Sequence, residues 1–383
     1  MTLGVCAPSP ATGMKVVFLG GGSSIHTIRW INALSGAGAR VVLVTQHEPE
    51  EPVSEAVKLR LLPFSGNIGY FLNARALKRV LAEEKPDLVN AHYASGYGTT
   101  ARLAGFTPTL LSVWGSDVYD FPRKSALHRW WLRGNLMAAT HVASTSRAMA
   151  EETRRVAPAL GEIAITPFGV ETDRFLSRSE RSAAPDAPIV IGTVKTLKPL
   201  YGIDVLVESF ARLAHRLQRE APQVAGRLKL RIVGDGPQRD ELVRRAGELG
   251  IGGVTEFIPR VPHAAVPAAL QALDVYVALS RQESFGVAII EAGACGVPVV
   301  VSDAGGLPEV VADGETGIVV PRENPQAAAE ALRTLVLDAD LRQRMGEAAR
   351  RRVVSLYEWQ RNVQQMIDLY ARVIAGSKGT RSQ

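Results

Sequence analysis

The chain is poor in cysteine, with only Cys6 and Cys295 among its 383 residues. Two cysteines cannot build a disulfide framework, and no Cys/His spacing matches a zinc site. A disulfide-rich secreted domain and a zinc domain are therefore excluded. A reducing compartment, the cytoplasm, is the expected location.

Long hydrophobic runs are absent as well. The longest apolar stretch, residues 285–301, is interrupted by Glu291, several glycines and Pro298, whereas a membrane-spanning helix needs about 18 consecutive apolar residues. Residues 1–13 lack the basic start and apolar centre of a signal peptide. Because a strand pattern begins directly after Met14, we expect Met14 to be the natural start and leave residues 1–13 out of the fold.

The composition is that of a globular protein, with 46% hydrophobic and 21% charged residues. Domains usually have about 100–200 residues, so two are expected. The formal net charge of +6 favours an anionic partner, which nucleotide phosphates, a membrane surface or nucleic acid would each provide.

Short apolar runs alternate with amphipathic helical patterns, which predicts an α/β fold with parallel sheets covered on both faces. The rhythm breaks in the polar segment 172–188, which is typical of a linker. We therefore predict Rossmann-like domains over residues 14–173 and 187–355, then a helix over 356–376 and a disordered tail. The predicted strands are Lys15–Leu19, Arg40–Thr45, Asp87–Ala91, Thr109–Trp114, His141–Ser144, Pro188–Val194, Leu228–Val233, Val254–Ile258, Asp274–Leu279, Pro298–Ser302 and Gly317–Val320.

The richest segment is Asp274–Gly306, a strand, a polar loop and a helix that begins near Phe285. The unpaired N–H groups of a helix start and the helix dipole suit a diphosphate, and Gly286 would let the backbone approach it. Glu291, farther along the helix, could accept hydrogen bonds from ribose hydroxyls. Glu283, on the loop, could face the reacting group.

The alternative is that both carboxylates are solvated, since two Glu residues at this spacing are common. Against it, Glu291 is surrounded in sequence by Ile289, Ile290, Ala292 and Ala294. Burying an unpaired charge on such a helix is costly, so a functional partner is favoured.

The order of motifs in this segment resembles the signature of the family-4 retaining glycosyltransferases of the GT-B fold, also called group 1 glycosyl transferases. The matching positions are Ser280, Glu283–Gly286, Glu291–Ala292, Gly296–Val300 and Gly305–Glu309. The resemblance extends from Lys15 to about Ala375. It implies two Rossmann-like domains facing a central cleft, with the C-terminal helix crossing back to the first domain.

The resemblance also implies residue roles. Glu283 would lie beside the donor sugar, Glu291 would hold the ribose, and the backbone of Phe285, Gly286 and Val287 would contact phosphate. Ser284 would also belong to the nucleotide-sugar-binding residues. The family's Gly-x-Gly-Pro turn matches Gly234–Pro237, although a plain strand-to-helix turn is an equal alternative.

Arg260 ends a segment that resembles the place where the base is read. The family's basic pair, which neutralises the diphosphate during catalysis, is altered in this chain: Lys195 would replace its arginine, and Lys198 would replace its lysine before glycine or be a solvated loop residue.

In the first half, Gly20–Gly22 follows the first strand. A dehydrogenase would need a third glycine and an acidic residue after the second strand, and this chain has neither. In enzymes of the GT-B fold the equivalent loop faces the donor, so the resemblance makes Gly21 and Gly22 candidates for donor contact. His92 and Asp117 are acceptor-side candidates, with a structural histidine and a helix cap as their alternatives. Trp114 stands where many relatives have histidine.

Residues 121–135 combine Arg and Lys with Trp130 and Trp131 and contain no acidic residue. Such a helix could contact an anionic membrane. It could equally be a solvated basic face with its Trp rings in the core. No recognised nucleic-acid module is present, so nucleic acid is not an expected partner.

We therefore expect a retaining glycosyltransferase that moves a sugar from a nucleotide diphosphate sugar to a glycan or lipid-linked acceptor. The expected setting is cell-envelope glycan or exopolysaccharide assembly, in the cytoplasm or at the inner face of the membrane. The resemblance implies no metal and no cofactor. The alternatives are a sugar-nucleotide epimerase of similar shape and a non-catalytic nucleotide-sugar-binding protein.

Overall fold

A computed structural model describes residues 13–177 and 186–380 of the chain. The chain divides into two units: unit 1 contains the residues up to Pro167 and those from Gln360 onward, and unit 2 contains Phe168–Trp359. Residues 178–185, about half of the predicted linker 172–188, lie outside the described residues. No helix within the described ranges is both long and apolar enough to cross a membrane.

The described part of unit 1 forms a seven-stranded parallel sheet in the order β3-β2-β1-β4-β5-β6-β7. Its strands are β1 Lys15–Leu19, β2 Arg40–Thr45, β3 Lys58–Leu61, β4 Leu88–His92, β5 Thr109–Val113, β6 His141–Ser144 and β7 Ile163–Ile165. Its helices are α1 Ile25–Gly36, α2 Gly66–Leu72, α3 Ala74–Glu84, α4 Tyr97–Ala104, α5 Ser116–Tyr119, α6 Ala126–Ala138 and α7 Arg147–Val156.

Unit 2 has, within its described residues, a six-stranded parallel sheet in the order β10-β9-β8-β11-β12-β13. The strands are β8 Ile189–Val194, β9 Leu228–Val233, β10 Thr255–Ile258, β11 Val275–Ala278, β12 Val299–Ser302 and β13 Gly317–Val320. The helices are α8 Ile203–Glu220, α9 Pro222–Ala225, α10 Arg239–Glu248, α11 Val266–Gln271, α12 Val287–Ala294, α13 Leu307–Val310, α14 Pro325–Leu337 and α15 Ala339–Leu356. The last helix of the chain, α16 Trp359–Thr380, begins in unit 2 and continues into unit 1.

All eleven predicted strands are present, each to within one residue at both ends. Strands β3 and β7 were not predicted from the sequence. Three of the four β3 residues are exposed, two of the four are basic (Lys58 and Arg60), and β7 has only three residues. Neither resembles the buried apolar run of a central parallel strand.

Two predicted boundaries need correction. Residues 168–173, predicted for the first domain, group with unit 2, because Val170 pairs with Glu358 and Arg350 donates to the carbonyl of Thr172 at 2.8 Å. The predicted disordered tail is helical as far as Thr380. Within unit 1, α16 is anchored by Tyr370, whose buried hydroxyl donates to Asn90 Oδ1 at 2.6 Å.

Candidate functional site

In unit 2, Lys195 and Glu283 form an ion pair beyond the carboxyl ends of two neighbouring strands. Lys195 follows β8 and the loop that carries Glu283 follows β11, and these strands are adjacent. Lys195 Nζ lies 2.8 Å from Glu283 Oε2, and the side chains are only 18% and 13% exposed. The ammonium also lies 4.3 Å from the centroid of the Tyr201 ring. Such an edge is where open parallel sheets bind ligands.

The surroundings of Lys195 keep it charged. Burial alone would lower the pKa of its ammonium group, but the negative charge of Glu283, helped by Tyr276 and Tyr201, outweighs burial and raises that pKa above its ordinary value. A fixed cation at the mouth of a site suits an anionic ligand.

Two glycines let the next loop approach Lys195 closely. Gly234 has a φ of 146°, and a Cβ there would clash with the carbonyl oxygen of Lys195. A Cβ on Gly236 would clash with Leu197 in the same way, and Leu197 N donates to the carbonyl of Asp235 at 2.9 Å. The Gly-x-Gly turn is therefore more than a strand-to-helix connection, because it sets the position of the Lys195 backbone.

The start of α12 has the geometry expected of a phosphate-binding helix terminus. Gly286 precedes it with a φ of 106°, which favours glycine. The described residues supply no acceptor for the N–H groups of Gly286 and Val287. Phe285 is 3% exposed, with ring contacts to Phe168 and Tyr357, so its side chain anchors the turn and leaves only its backbone for a ligand.

Glu291 lies on α12 and is 8% exposed, so the alternative of a solvated helix face is wrong. Its Oε1 lies 3.6 Å from His263 Nε2. His263, which comes before α11 and which the fold brings next to α12, was not predicted as a site residue.

The remaining predicted residues of unit 2 are more exposed. Lys198 and Arg260 both lie at the surface, and among the described residues neither side chain has a recorded ion pair. Arg260 joins the site through its backbone N–H, which donates to Asp235 Oδ2 at 2.8 Å. The structure does not bring Lys198 into the Lys195–Glu283 pair.

Arg281, in the loop after β11, was not predicted as a site residue either. Its guanidinium binds both carboxylate oxygens of Asp204, at 3.0 and 2.7 Å, and Glu323 at 3.0 Å. Its backbone N–H donates to the carbonyl of Leu200 at 2.8 Å. Arg281 thereby fixes the loop that carries Glu283 against the turn that carries Tyr201.

In unit 1, Gly21 and Gly22 lie at the carboxyl end of β1. Gly22 is buried, donates to Thr45 Oγ1 at 2.9 Å, and has no room for a Cβ because of the carbonyl of His47. Gly21 is partly exposed, and a Cβ there would meet nothing nearer than 3.9 Å. Gly22 therefore has a packing role, whereas the Gly21 backbone is open to a ligand.

His92 is 1% exposed and stacks on Phe18 with ring centroids 4.1 Å apart. The Trp114 ring packs edge-on against the His92 ring, with centroids 4.6 Å apart. The Nε2 atom of His92 lies 2.7 Å from Asn90 Oδ1. Burial lowers the pKa of His92 to about 3. This environment favours the structural alternative for His92 over direct contact with an acceptor.

Asp117 is fully buried. Its carboxylate accepts hydrogen bonds from the backbone N–H groups of Ala94 at 2.8 Å, Gly115 at 2.8 Å and Trp114 at 3.2 Å. Burial raises its pKa, and these backbone bonds oppose the rise. Its contacts hold two loops of unit 1 together, so a structural role is again favoured over acceptor contact.

The predicted basic segment 121–135 contains a short 3₁₀ turn, Phe121–Arg123, followed by α6. Its two tryptophans differ. Trp131 is half-buried and donates from Nε1 to Thr99 Oγ1 at 2.9 Å, whereas Trp130 is 61% exposed. The alternative with both rings in the core is therefore wrong.

Two family profiles match the chain. The profile for glycosyl transferases group 1 matches residues 177–352, and the profile for glycosyl transferase 4-like proteins matches residues 15–146. A D-inositol 3-phosphate glycosyltransferase of Actinosynnema mirum is 29% identical over 92% of both chains. Several others of that description, at 31–34% identity, are matched over only about half of their own length.

Solved structures share the fold. Sucrose-phosphate synthase from Thermosynechococcus elongatus superposes with a TM-score of 0.77 at 23% identity, over 95% of this chain and all of that one. Anabaena HepE, in complex with UDP and glucose, gives a TM-score of 0.74 at 18% identity, over 94% of this chain and all of HepE. Both parallel sheets of the chain thus have counterparts in known two-domain proteins.

Proposed function

Because this chain belongs to the group 1 glycosyltransferases of the GT-B fold, we propose that it moves a sugar from a nucleotide diphosphate sugar to an acceptor hydroxyl with retention at the anomeric carbon. The observation that carries the proposal is the Lys195–Glu283 pair beside the start of α12. This arrangement places the Lys195 cation, the Glu283 carboxylate and the free N–H donors at the start of α12 together at one edge of a parallel sheet.

Each group has a task in this reaction. The Lys195 ammonium and the N–H groups at the start of α12 would stabilise the negative charge that develops on the leaving diphosphate. Glu283 would orient the donor sugar through its hydroxyls, and Glu291 would accept hydrogen bonds from the ribose. Attack from the face that the diphosphate leaves would let its phosphate oxygen take the acceptor proton, so the proposal names no protein nucleophile.

We propose that the reaction proceeds without a metal ion, with charge neutralisation supplied by Lys195. Within the described ranges no three His, Cys, Asp or Glu side chains cluster as a metal site. The Asp-x-Asp triplet at Asp338–Asp340 serves another purpose: Asp338 Oδ1 caps α15 by accepting from Leu341 N at 2.8 Å.

The donor base is proposed to be uracil, with support from the fold neighbour HepE in its complex with UDP. The acceptor is proposed to be a glycan or a lipid-linked intermediate of cell-envelope or exopolysaccharide assembly, at the cytoplasmic face of a membrane. This setting is an analogy at the level of the family.

Incubation with UDP-, GDP- and ADP-sugars, with and without acceptor alcohols, tests the proposal. Acceptor-dependent release of nucleotide, with product whose NMR coupling constant matches the donor's anomeric configuration, is the expected result. An isomerised sugar nucleotide formed without acceptor would support an epimerase instead. Binding with no turnover of any donor would support a non-catalytic protein.

A further inference from the structure

Helix α2 of unit 1 presents apolar side chains to solvent. Ile68, Phe71 and Leu72 are 70%, 47% and 49% exposed, and Phe64, just before the helix, is 47% exposed. Positions 68, 71 and 72 lie on one face of a helix. A contiguous apolar face of this kind marks an interaction surface more often than a solvated one.

Helix α6 has a second exposed apolar stripe. Leu127, Trp130 and Met137 are 67%, 61% and 46% exposed, at spacings that share one helix face. The Phe71 and Trp131 rings are in contact, with centroids 5.1 Å apart, and Trp131 is 6.0 Å from Trp130. These contacts join the two stripes into one surface, called the α2/α6 face below, made of Phe64, Ile68, Phe71, Leu72, Leu127, Trp130 and Trp131.

The sequence around this face is basic. Residues 62–82 contain Arg75, Lys78 and Arg79 without any Asp or Glu. Residues 121–150 also contain no Asp or Glu. Their cationic side chains are Arg123, which forms an ion pair with Glu152 at 3.1 Å, and Lys124, Arg129, Arg133 and Arg147. A surface that lies in the headgroup region of an anionic bilayer typically combines exposed Trp and Leu side chains with Lys and Arg.

We propose that the α2/α6 face docks unit 1 on an anionic phospholipid membrane. The apolar side chains would enter the boundary between headgroups and acyl chains, and the neighbouring cations would pair with lipid phosphates. Self-association through the same face is disfavoured, because it would bring two clusters of like charge together.

Within unit 1, a chain of contacts connects the α2/α6 face to the loop of Gly21 and Gly22, which lies at the carboxyl end of β1. Tyr70 of α2 contacts the Tyr97 ring at 5.1 Å, and Tyr97 shares a 3.1 Å hydrogen bond with Thr45. Thr45 accepts from the Gly22 backbone at 2.9 Å. Docking would therefore place the carboxyl edge of this sheet near the bilayer, which suits a lipid-linked acceptor; this consequence alone rests on the proposed function.

Flotation with vesicles tests the docking itself. The full-length protein should float with vesicles of phosphatidylcholine mixed with phosphatidylglycerol, less with phosphatidylcholine alone, and less again at high salt. The variant Ile68→Ser/Trp130→Ser should lower the partition coefficient about tenfold or more, since it removes two inserted side chains. Lys124→Gln/Arg133→Gln should lower it by about fivefold per charge.

The matched control is Val243→Ser/Leu337→Ser, which removes two exposed apolar side chains of unit 2, 43% and 44% exposed, and should float like wild type. All variants should melt like wild type, because the altered side chains are exposed. Glu291→Ala should also float like wild type, which separates docking from the nucleotide site.

The proposal is overturned if Ile68→Ser/Trp130→Ser floats as well as wild type. It is also overturned if sedimentation without lipid shows a dimer that this variant dissociates, because the face would then join two copies. Equal flotation with both vesicle types would overturn the anionic part.

Discussion

Replacement of Glu283 by glutamine should destabilise unit 2 as well as abolish turnover. The change leaves the Lys195 ammonium, 18% exposed and over the Tyr201 ring, without its carboxylate at 2.8 Å. Removing one partner of a buried ion pair costs about 3–5 kcal/mol. Because both side chains keep some contact with solvent, about 2–3 kcal/mol is a better expectation here.

This loss should be visible as a fall in melting temperature of about 5–10 °C, since about 1 kcal/mol corresponds to 2–4 °C for a domain of this size. The pair stabilises the fold while Lys195 is protonated. The pKa of Lys195 is raised in the folded state, so this contribution is fully present below its unfolded pKa of about 10.4 and is lost as the pH rises through the folded pKa. The difference in free energy of unfolding between wild type and Glu283→Gln should therefore persist from neutral pH to about pH 10.

A second substitution separates stability from chemistry. Lys195→Met/Glu283→Gln removes both charges and should recover at least half of the lost stability, because an uncharged pair leaves no unpaired charge behind, while turnover stays abolished. The control is Glu248→Gln in the exposed pair with Arg244, whose side chains are 45% and 63% exposed; it should cost less than about 1 kcal/mol. A Glu283→Gln protein that melts like wild type, or a double variant no more stable than the single one, would refute the reasoning.

Three further outcomes follow from the same contacts. Gly234→Ala should cost about 1–3 kcal/mol and weaken nucleotide binding, since its φ of 146° and the carbonyl of Lys195 exclude a Cβ; Gly247→Ala, where a Cβ meets nothing within 4 Å, should be neutral or stabilising in the same melts. Glu291→Ala should raise the Kd for UDP by roughly 10- to 100-fold in calorimetry, through lost bonds to a charged acceptor, and unchanged binding would disprove the ribose assignment. His92→Phe should weaken the fall in the free energy of unfolding of unit 1 as the pH is lowered below 6.5. The pKa of His92 is about 3 in the folded state and about 6.5 in the unfolded state. The contribution of neutral His92 to the free energy of unfolding is therefore complete above pH 6.5 and falls by about 1.4 kcal/mol per pH unit below that. Denaturant titrations between about pH 3 and 6.5 that give the same pH dependence for the variant and for wild type would contradict this prediction.

The architecture was predictable because a parallel strand covered on both faces is a continuous apolar run. Lys15–Leu19 and Arg40–Thr45 were predicted to the residue for that reason. The edge strand Lys58–Leu61 is mostly exposed, so nothing in its sequence requires a strand. Its partner β2 supplies the hydrogen bonds that make it one.

Part of the site could be found in the same way. Ile289, Ile290, Ala292 and Ala294 around Glu291 already indicated a buried carboxylate, and the structure buries it. The Lys195–Glu283 contact joins residues 88 positions apart, and only the adjacency of β8 and β11 brings them together. The same applies to His263, which no local pattern connects to Glu291.

The candidate residues of unit 1 show that a position at the end of a strand does not by itself decide whether a side chain is accessible to a ligand. His92 is the last residue of β4, which lies between β1 and β5, so Phe18 from β1 and Trp114 after β5 enclose its ring. Glu283 lies five residues beyond the end of β11, in a loop that has cleared the neighbouring strands and retains access to solvent. A polar residue at the carboxyl end of a central strand is therefore a weaker functional candidate than one a few residues farther along the chain.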